Sequence, residues 1–391
     1  MKISLLHPSW KRPALALSCH NEWMSKSDNP ENIEYVLCLA EKDPTLAEYM
    51  EQFRDTKALR IVHHENGLVK QVNRAATECA GELIIAISDD FSCPEHWDTI
   101  LRNALAGKSD YVVKTQDGLQ PFIMTLPVMD RAFYNRLGHI YHPDYNHMYG
   151  DEELAEVGKL LNRTIVLPDY FRHNHYSTGA LPKDEVNTRN DSFMMIDKET
   201  YMRRKLNNFD IKLLSILIPT LPKRHEMFNS LMAELKRQAT PSVEILSNNA
   251  TDMTIGAKRN ALLNQAKGEY VCFIDDDDVV PEHYVYSVLS AIQHNPDCCS
   301  LNGVITTDGK NPKRFVHSIQ YGSWFEQDDV YYRPPNHLNT IKASIAKQFS
   351  FPEKNFGEDM DWSMAISRSG ILQKEQVIDE TIYYYRYITH K

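Results

Sequence analysis

A chain of 391 residues with a formal net charge of −10 is long enough for two domains and a sizeable core, and its acidity gives no reason to expect tight, non-specific nucleic-acid binding. No stretch reaches the ~18 apolar residues of a membrane helix, and Lys2-Ile3-Ser4-Leu5-Leu6 gives way at once to His7-Pro8-Ser9-Trp10-Lys11-Arg12-Pro13, so neither a span nor a secretory leader is expected. The seven cysteines, odd in number and without a CxxC pair or metal-finger spacing, read as reduced core thiols of a cytoplasmic protein.

In chain order, Ser4-Leu5-Leu6-His7, Leu37-Cys38-Leu39, Ile61-Val62 and Leu83-Ile84-Ile85-Ala86-Ile87 are short apolar runs that predict strands. The polar stretch from Tyr176 to about Asn208 holds Lys183-Asp184-Glu185 and Arg203-Arg204-Lys205, has little strand character and is expected to be a connection. Beyond it, Leu214 to Ile218 predicts a strand stopped by Pro219-Thr220-Leu221-Pro222. Met227, Leu231, Met232 and Leu235 recur at helical spacing, and Val243 to Leu246 is the next strand. A helix over Ala257 to Ala266 ends at Gly268, and the strand Tyr270 to Ile274 follows. Strands alternating with helices predict an α/β fold with a mostly parallel sheet, whose ligands bind beyond the carboxyl ends of the strands.

The chain also repeats itself. Aligning Gly81-Glu82-Leu83 with Gly268-Glu269-Tyr270 brings, at one offset, Asn73 onto Asn260, Asp89-Asp90 onto Asp276-Asp277, and Pro94-Glu95-His96-Trp97 onto Pro281-Glu282-His283-Tyr284. Ser4 to Ser9 resembles Ser215 to Thr220, and Gly150-Asp151-Glu152 resembles Gly357-Glu358-Asp359. A repeat this long is a duplicated domain and not a solenoid unit. The expected domains are 1–210, including the connection, and 211–391.

The strand Tyr270 to Ile274 runs straight into Asp275-Asp276-Asp277-Asp278. Adjacent carboxylates at the end of a buried strand repel one another, so a cation is expected there, most economically a divalent ion bridging protein carboxylates to a nucleotide diphosphate. A solvated acidic turn is the plainer alternative.

These residues give both halves a resemblance to nucleotide-sugar-dependent glycosyltransferases of the Rossmann-like GT-A fold, closest to the large inverting family 2 group. The resemblance implies that Asp275, Asp276 and Asp277 hold Mn²⁺ or Mg²⁺ against the donor diphosphate, with Asp89 and Asp90 as counterparts. The first half matches less well, because Ser88 stands where the second has Asp275 and Phe91 where it has Asp278. The implied general base is Asp359, beside Glu358, and in the first half Glu152, beside Asp151. Acidic residues also favour the first turn of any helix. A late histidine ligand falls on His390, or on His173 and His175.

Nucleotide contacts are expected from Pro219, Thr220, Asn248, Asn249, Lys258 and Arg259, together with Asp275 and Asp276. In the first half Pro8, Ser9, Glu41 and Lys70 are their counterparts. The implied reaction is inverting transfer from a nucleoside diphosphate sugar, UDP favoured, to a hydroxyl on a glycan, a lipid-linked sugar or another acceptor, by two sites in sequence. Three alternatives stand beside it: one active domain with a non-catalytic binding domain, glycosylation of a hydroxylated base in viral DNA, which the net charge disfavours, and a nucleotidyltransferase. For the last, Lys11-Arg12 and Lys223-Arg224 are poor substitutes for a triphosphate loop.

Overall fold

The computed structural model describes residues 1–65, 67–115, 117, 122–168 and 171–389. The chain divides into two compact units, Met1–Phe209 and Asp210–Lys391.

The first unit is built on a seven-stranded sheet in the order Leu59–His63, Ile33–Ala40, Ile3–Pro8, Leu83–Ala86, Val128–Asp130, Val112–Thr115, Thr164–Leu167. Its first four strands are parallel. Every residue of Ile3–Pro8 is buried, which is why that strand reads as a continuous apolar run and not as an alternation. In the second unit the sheet order is Val243–Asn248, Leu214–Pro219, Tyr270–Phe273, Ile341–Lys342, Cys298–Cys299, Glu375–Gln376, with Leu214–Pro219 parallel to both neighbours and equally buried. The expected α/β architecture with a parallel centre is therefore present in each unit.

The same local bonds recur in both. Ser4 and Ser215 each sit buried in the central strand, donate to Glu34 (2.7 Å) and Glu244 (2.5 Å), and accept the backbone N–H of Gly81 and Gly268 at 2.8 Å. A Cβ at Gly81 would lie 2.4 Å from Ser4 Oγ, and one at Gly268 2.6 Å from the Ser215 nitrogen, so the close approach requires glycine twice. Asn73 and Asn260 each donate to one backbone carbonyl, Tyr141 at 2.7 Å and Phe351 at 2.8 Å, and accept a backbone N–H from the same loop.

Two features depart from the sequence reading. The polar stretch after Tyr176 is no loose connection: it folds into helices Glu185–Asp191 and Met194–Leu206, fastened to the first unit. Arg12 forks onto Asp184 (2.7 and 2.8 Å), and the buried Asp197 accepts the backbone N–H groups of Asn146, His147 and Met148. Arg204 pairs with the buried Glu153 at 2.8 Å. Polar composition conceals this packing because ion pairs and a carboxylate on backbone N–H groups share the contact with only a few apolar residues, Val186, Tyr201 and Phe209. The second unit also carries an additional five-stranded sheet, ordered Phe325–Gln327, Val330–Arg333, Lys310–His317, Leu301–Thr307, Thr381–Tyr387, which borders the carboxyl end of Tyr270–Phe273 through the bridge between Val279 and Tyr384.

All seven cysteines are buried and free. No helix among the described residues is long and apolar enough to cross a membrane.

Candidate active site

Beyond the strand Tyr270–Phe273, the backbone turns so that the N–H of Asp278 donates to the carbonyl of Asp275 at 3.0 Å. This turn sends the four aspartates to different surroundings. Asp275, Asp276 and Asp277 line a cleft of about 280 Å³, which also includes Pro219, Arg224, Arg333, His337, Asp359 and Tyr385. Asp278 instead accepts Tyr383 Oη and the Arg386 N–H, both at 2.8 Å, and burial together with the neighbouring Asp275 charge raises its pKa well above the usual range. It is a structural acid of the additional sheet.

The three remaining acids are met by the protein's own cations. Asp276, 1% exposed, accepts Thr220 Oγ1 at 2.6 Å and Arg224 Nη1 at 2.7 Å, and the same Arg224 nitrogen lies 3.6 Å from Asp277. Asp275 accepts Arg259 Nη2 at 2.9 Å. Burial would raise its pKa, but the Arg259 charge and contact with His337 outweigh that and hold the carboxyl far below the usual carboxylate range. Arg259 is itself 3% exposed, enclosed by Phe273 and Phe351, and reaches Glu358 at 3.3 Å.

Across the cleft, the helix Glu358–Ser369 starts after Gly357, whose φ of 70° favours glycine. Its first two acids diverge: Glu358 turns inward to Arg259, while Asp359 faces the cleft. Between the groups stands His337, 4% exposed, with Nε2 3.6 Å from Asp275 and Nδ1 3.5 Å from Asp359, and neither ring nitrogen has a hydrogen-bond partner.

The first unit repeats part of this set. Asp89 lies 2.9 Å from His7 Nε2, accepts Ser9 Oγ at 2.8 Å and stands 3.9 Å from Arg12. Asp90 accepts Ser88 Oγ at 2.5 Å and lies 3.3 Å from His173 Nε2. Despite burial, His173 and Ser88 bring its pKa down to about 2. Burial would lower the His173 pKa, but Asp117 and Asp90 push it up to about 9, and its ring stacks on Phe91 at 4.3 Å. Burial pushes Asp151 up to about 6 and also raises Glu152. The repeat offset places Val72 where the second unit has Arg259, so Ser88 for Asp275 comes with Val72 for Arg259: an entire ion pair is absent.

The other residues expected at the site are held as follows. Lys258, expected at the nucleotide, donates to the Thr220 carbonyl at 2.8 Å. Arg259, expected there too, and Glu358, expected beside the base, both line the cleft and pair with each other, with Arg259 also on Asp275. Asn248 caps Ala250 at 3.0 Å, and neither it nor Asn249 lines the cleft. Lys70 and Glu41 are exposed, Lys70 paired with Glu65, and Pro8 is a buried strand end. His175 contacts Ser177 at 2.8 Å, with its ring 5.1 Å from His173. His390 lies outside the described residues. Arg224 was weighed only as a poor triphosphate-loop residue, and Arg333 and His337 stand in the aromatic, Pro-rich stretch ahead of the acidic pair without a role assigned from sequence. His317 gave no sequence signal.

Among the described residues, only His63, His64 and Glu65 bring three metal-type ligand atoms within 4.8 Å of one another, so Asp275, Asp276 and Asp277 do not converge that closely.

Residues 230–353 match the family model described as Glycosyl transferase family 2. No curated protein matches the chain. Among solved structures, residues 1–349 of S. aureus TarS in complex with UDP-GlcNAc align at 16% identity over 44% of this chain and 58% of that one, with a TM-score of 0.35. Mannosyltransferase PcManGT from Pyrobaculum calidifontis, in complex with GDP-Man and Mn2+, aligns at 20% identity over 43% and 55%, with a TM-score of 0.37. The chain thus spans less than two thirds of the length of either neighbour.

Proposed function

Taking the second unit as the family 2-type glycosyltransferase domain that its match identifies, we propose that its cleft transfers a sugar from a nucleoside diphosphate donor, UDP favoured, to a hydroxyl acceptor with inversion. The observation that carries this reading is the single cleft shared by Asp275, Asp276 and Asp277 at a strand end and by Asp359 at a helix start. A hydroxyl attacks poorly unless its proton is removed as it does so, and Asp359, directed into the cleft beside His337, is the group to take it. Arg224 holds Asp276 and borders Asp277, so the donor side is rigid before any ligand arrives.

A hard divalent ion beside a diphosphate takes only one or two protein carboxylates, phosphate oxygens and water completing its shell. Asp277 with Asp276 suits that donor set, and the bare ring nitrogens of the buried His337 fit a site with further polar groups to receive. Bound there, Mn²⁺ or Mg²⁺ would offset charge on the departing diphosphate.

For the first unit, Asp89, Asp90, His173 and Glu152 support a second site of the same kind, and the chain is then a tandem enzyme. The missing ion pair at Ser88 and Val72 favours the other reading, in which the first unit binds without transferring. Mn²⁺-dependent UDP release across a panel of UDP-sugars tests the function. Asp277→Ala and Asp359→Asn should each abolish the second unit's share of it, whereas unchanged turnover in both would refute the assignment. The separate effect of Asp90→Asn decides between one active site and two.

A further inference from the structure

Three arginines line the cleft of the second unit, and two are paired with acids: Arg224 with Asp276, Arg259 with Asp275 and Glu358. Arg333 is different. It ends the strand Val330–Arg333 with its guanidinium carbon 4.3 Å from the Trp324 ring centroid and 5.8 Å from that of Tyr331. Among the described residues it has no ion-pair partner and no side-chain hydrogen bond. A guanidinium remains charged whatever its surroundings, and its planar fork fits a carboxylate or phosphate two bonds at a time. A half-buried arginine laid on an indole with an empty fork is therefore shaped for an anion that arrives with a ligand.

Arg333 shares the cleft lining with Asp359 and with Asp275, Asp276 and Asp277, but unlike Arg224 it is paired with none of them. Burial lowers its pKa, and Tyr385, the Asp359 charge and Tyr331 offset this. His317, fully buried and part of the same lining, supplies an independent sign of an incoming ligand. Its Nδ1 lies 3.1 Å from Asn339 Oδ1, an oxygen that also accepts the Asn336 N–H, so Nδ1 is the donor and Nε2 the acceptor. That Nε2 is buried without a partner. A lone pair for a hydroxyl and a free fork for an anion stand in one cleft. Next to them, Trp324 and Phe325 are 40% and 42% exposed, apolar faces of the kind on which sugar rings pack.

We propose that Arg333 selects the acceptor: a sugar bearing a carboxylate or a phosphate, whose anion occupies the Arg333 fork while a hydroxyl of the same sugar faces Asp359. This rests on the glycosyl-transfer reading above and adds the substrate class.

The test is direct binding to the full chain, measured by calorimetry or saturation-transfer NMR, with methyl glucuronide, methyl glucoside 6-phosphate and neutral methyl glucoside as probes. One of the two anionic probes should bind at least about tenfold tighter than the neutral one, and which of them does so names the anion. Arg333→Gln should erase that preference and Arg333→Lys retain part of it, while both variants keep wild-type affinity for UDP with Mn²⁺. Equal binding of neutral and anionic probes, no binding of any probe, or a preference that survives Arg333→Gln would each overturn the proposal. So would loss of UDP affinity in Arg333→Gln, which would place the residue on the donor, or tighter binding of a hydroxymethylated oligonucleotide than of either charged sugar. If anionic sugars bind through Arg333 but no UDP-sugar is ever turned over, the transfer reading fails and the binding site stands.

Discussion

Arg224 closes on Asp276 at 2.7 Å, whereas Arg12, its counterpart after the first strand of the other unit, stands 3.9 Å from Asp89 and forks onto Asp184 instead. The same kind of pair is thus shut in one unit and drawn aside in the other, by an acid from a segment that only the first unit possesses.

Removing the closed pair should expose its purpose. Arg224→Ala leaves Asp276 buried and uncompensated, at a cost of about 1–3 kcal/mol, below the ~3–5 kcal/mol of a fully buried pair because the guanidinium is 24% exposed. Mn²⁺ can take over part of that charge balance, so the ion should raise the melting temperature of the variant more than that of the wild type. Equal shifts would mean that metal and arginine do not share the site.

Asp359→Asn keeps shape and hydrogen-bonding capacity but removes the base. Its kcat should fall by about 10²–10⁴-fold with little change in UDP affinity, as single-turnover kinetics and a UDP titration would report. A matching loss of UDP binding would make Asp359 a donor contact.

The paired glycines offer a symmetrical stability test. Gly81→Ala and Gly268→Ala each force a methyl group to within 2.4–2.6 Å of Ser4 or Ser215, costing about 1–3 kcal/mol or more. Amide exchange should accelerate in Ile3–Pro8 for the first variant and in Leu214–Pro219 for the second. Effects confined to the wrong strand would contradict the shared role of the two positions.

Acid should weaken the second unit through His317. Burial, assisted by the Arg333 charge, pushes its pKa down to about 3, below the unfolded value of about 6.5. Between those values the unfolded chain binds the extra proton, so stability rises with pH and is lost on acidification, at a slope approaching ~1.4 kcal/mol per pH unit. His317→Gln should flatten this dependence in melts between pH 7 and 5. An unchanged slope would assign the acid sensitivity elsewhere.

How far the chain could be read in advance depended on the range of the forces involved. The strand into Asp275, the acidic start of the helix at Asp359 and the repeated Gly-Glu stretches are local signals, and each marks a place that the fold uses. The enclosure of Arg259, expected only as a nucleotide contact, was not legible because its cover, Phe273 and Phe351, is remote in sequence. The additional sheet was invisible for the same reason: Lys310–His317 begins polar and exposed, and its identity as a strand comes from pairing with Leu301–Thr307 and Val330–Arg333. Asp278 stands in the same acidic run but was given no ligand role, and what turns it away from its neighbours is one turn hydrogen bond that composition does not reveal.

The joint absence of Asp275 and Arg259 from the first unit bears on any exchange between the halves. Without Asp275 the buried Arg259 keeps only Glu358, and without Arg259 the cleft-facing Asp275 keeps only His337 nearby. The halves thus differ by one coupled pair, so grafting either residue alone into the first unit would import a charge without its partner.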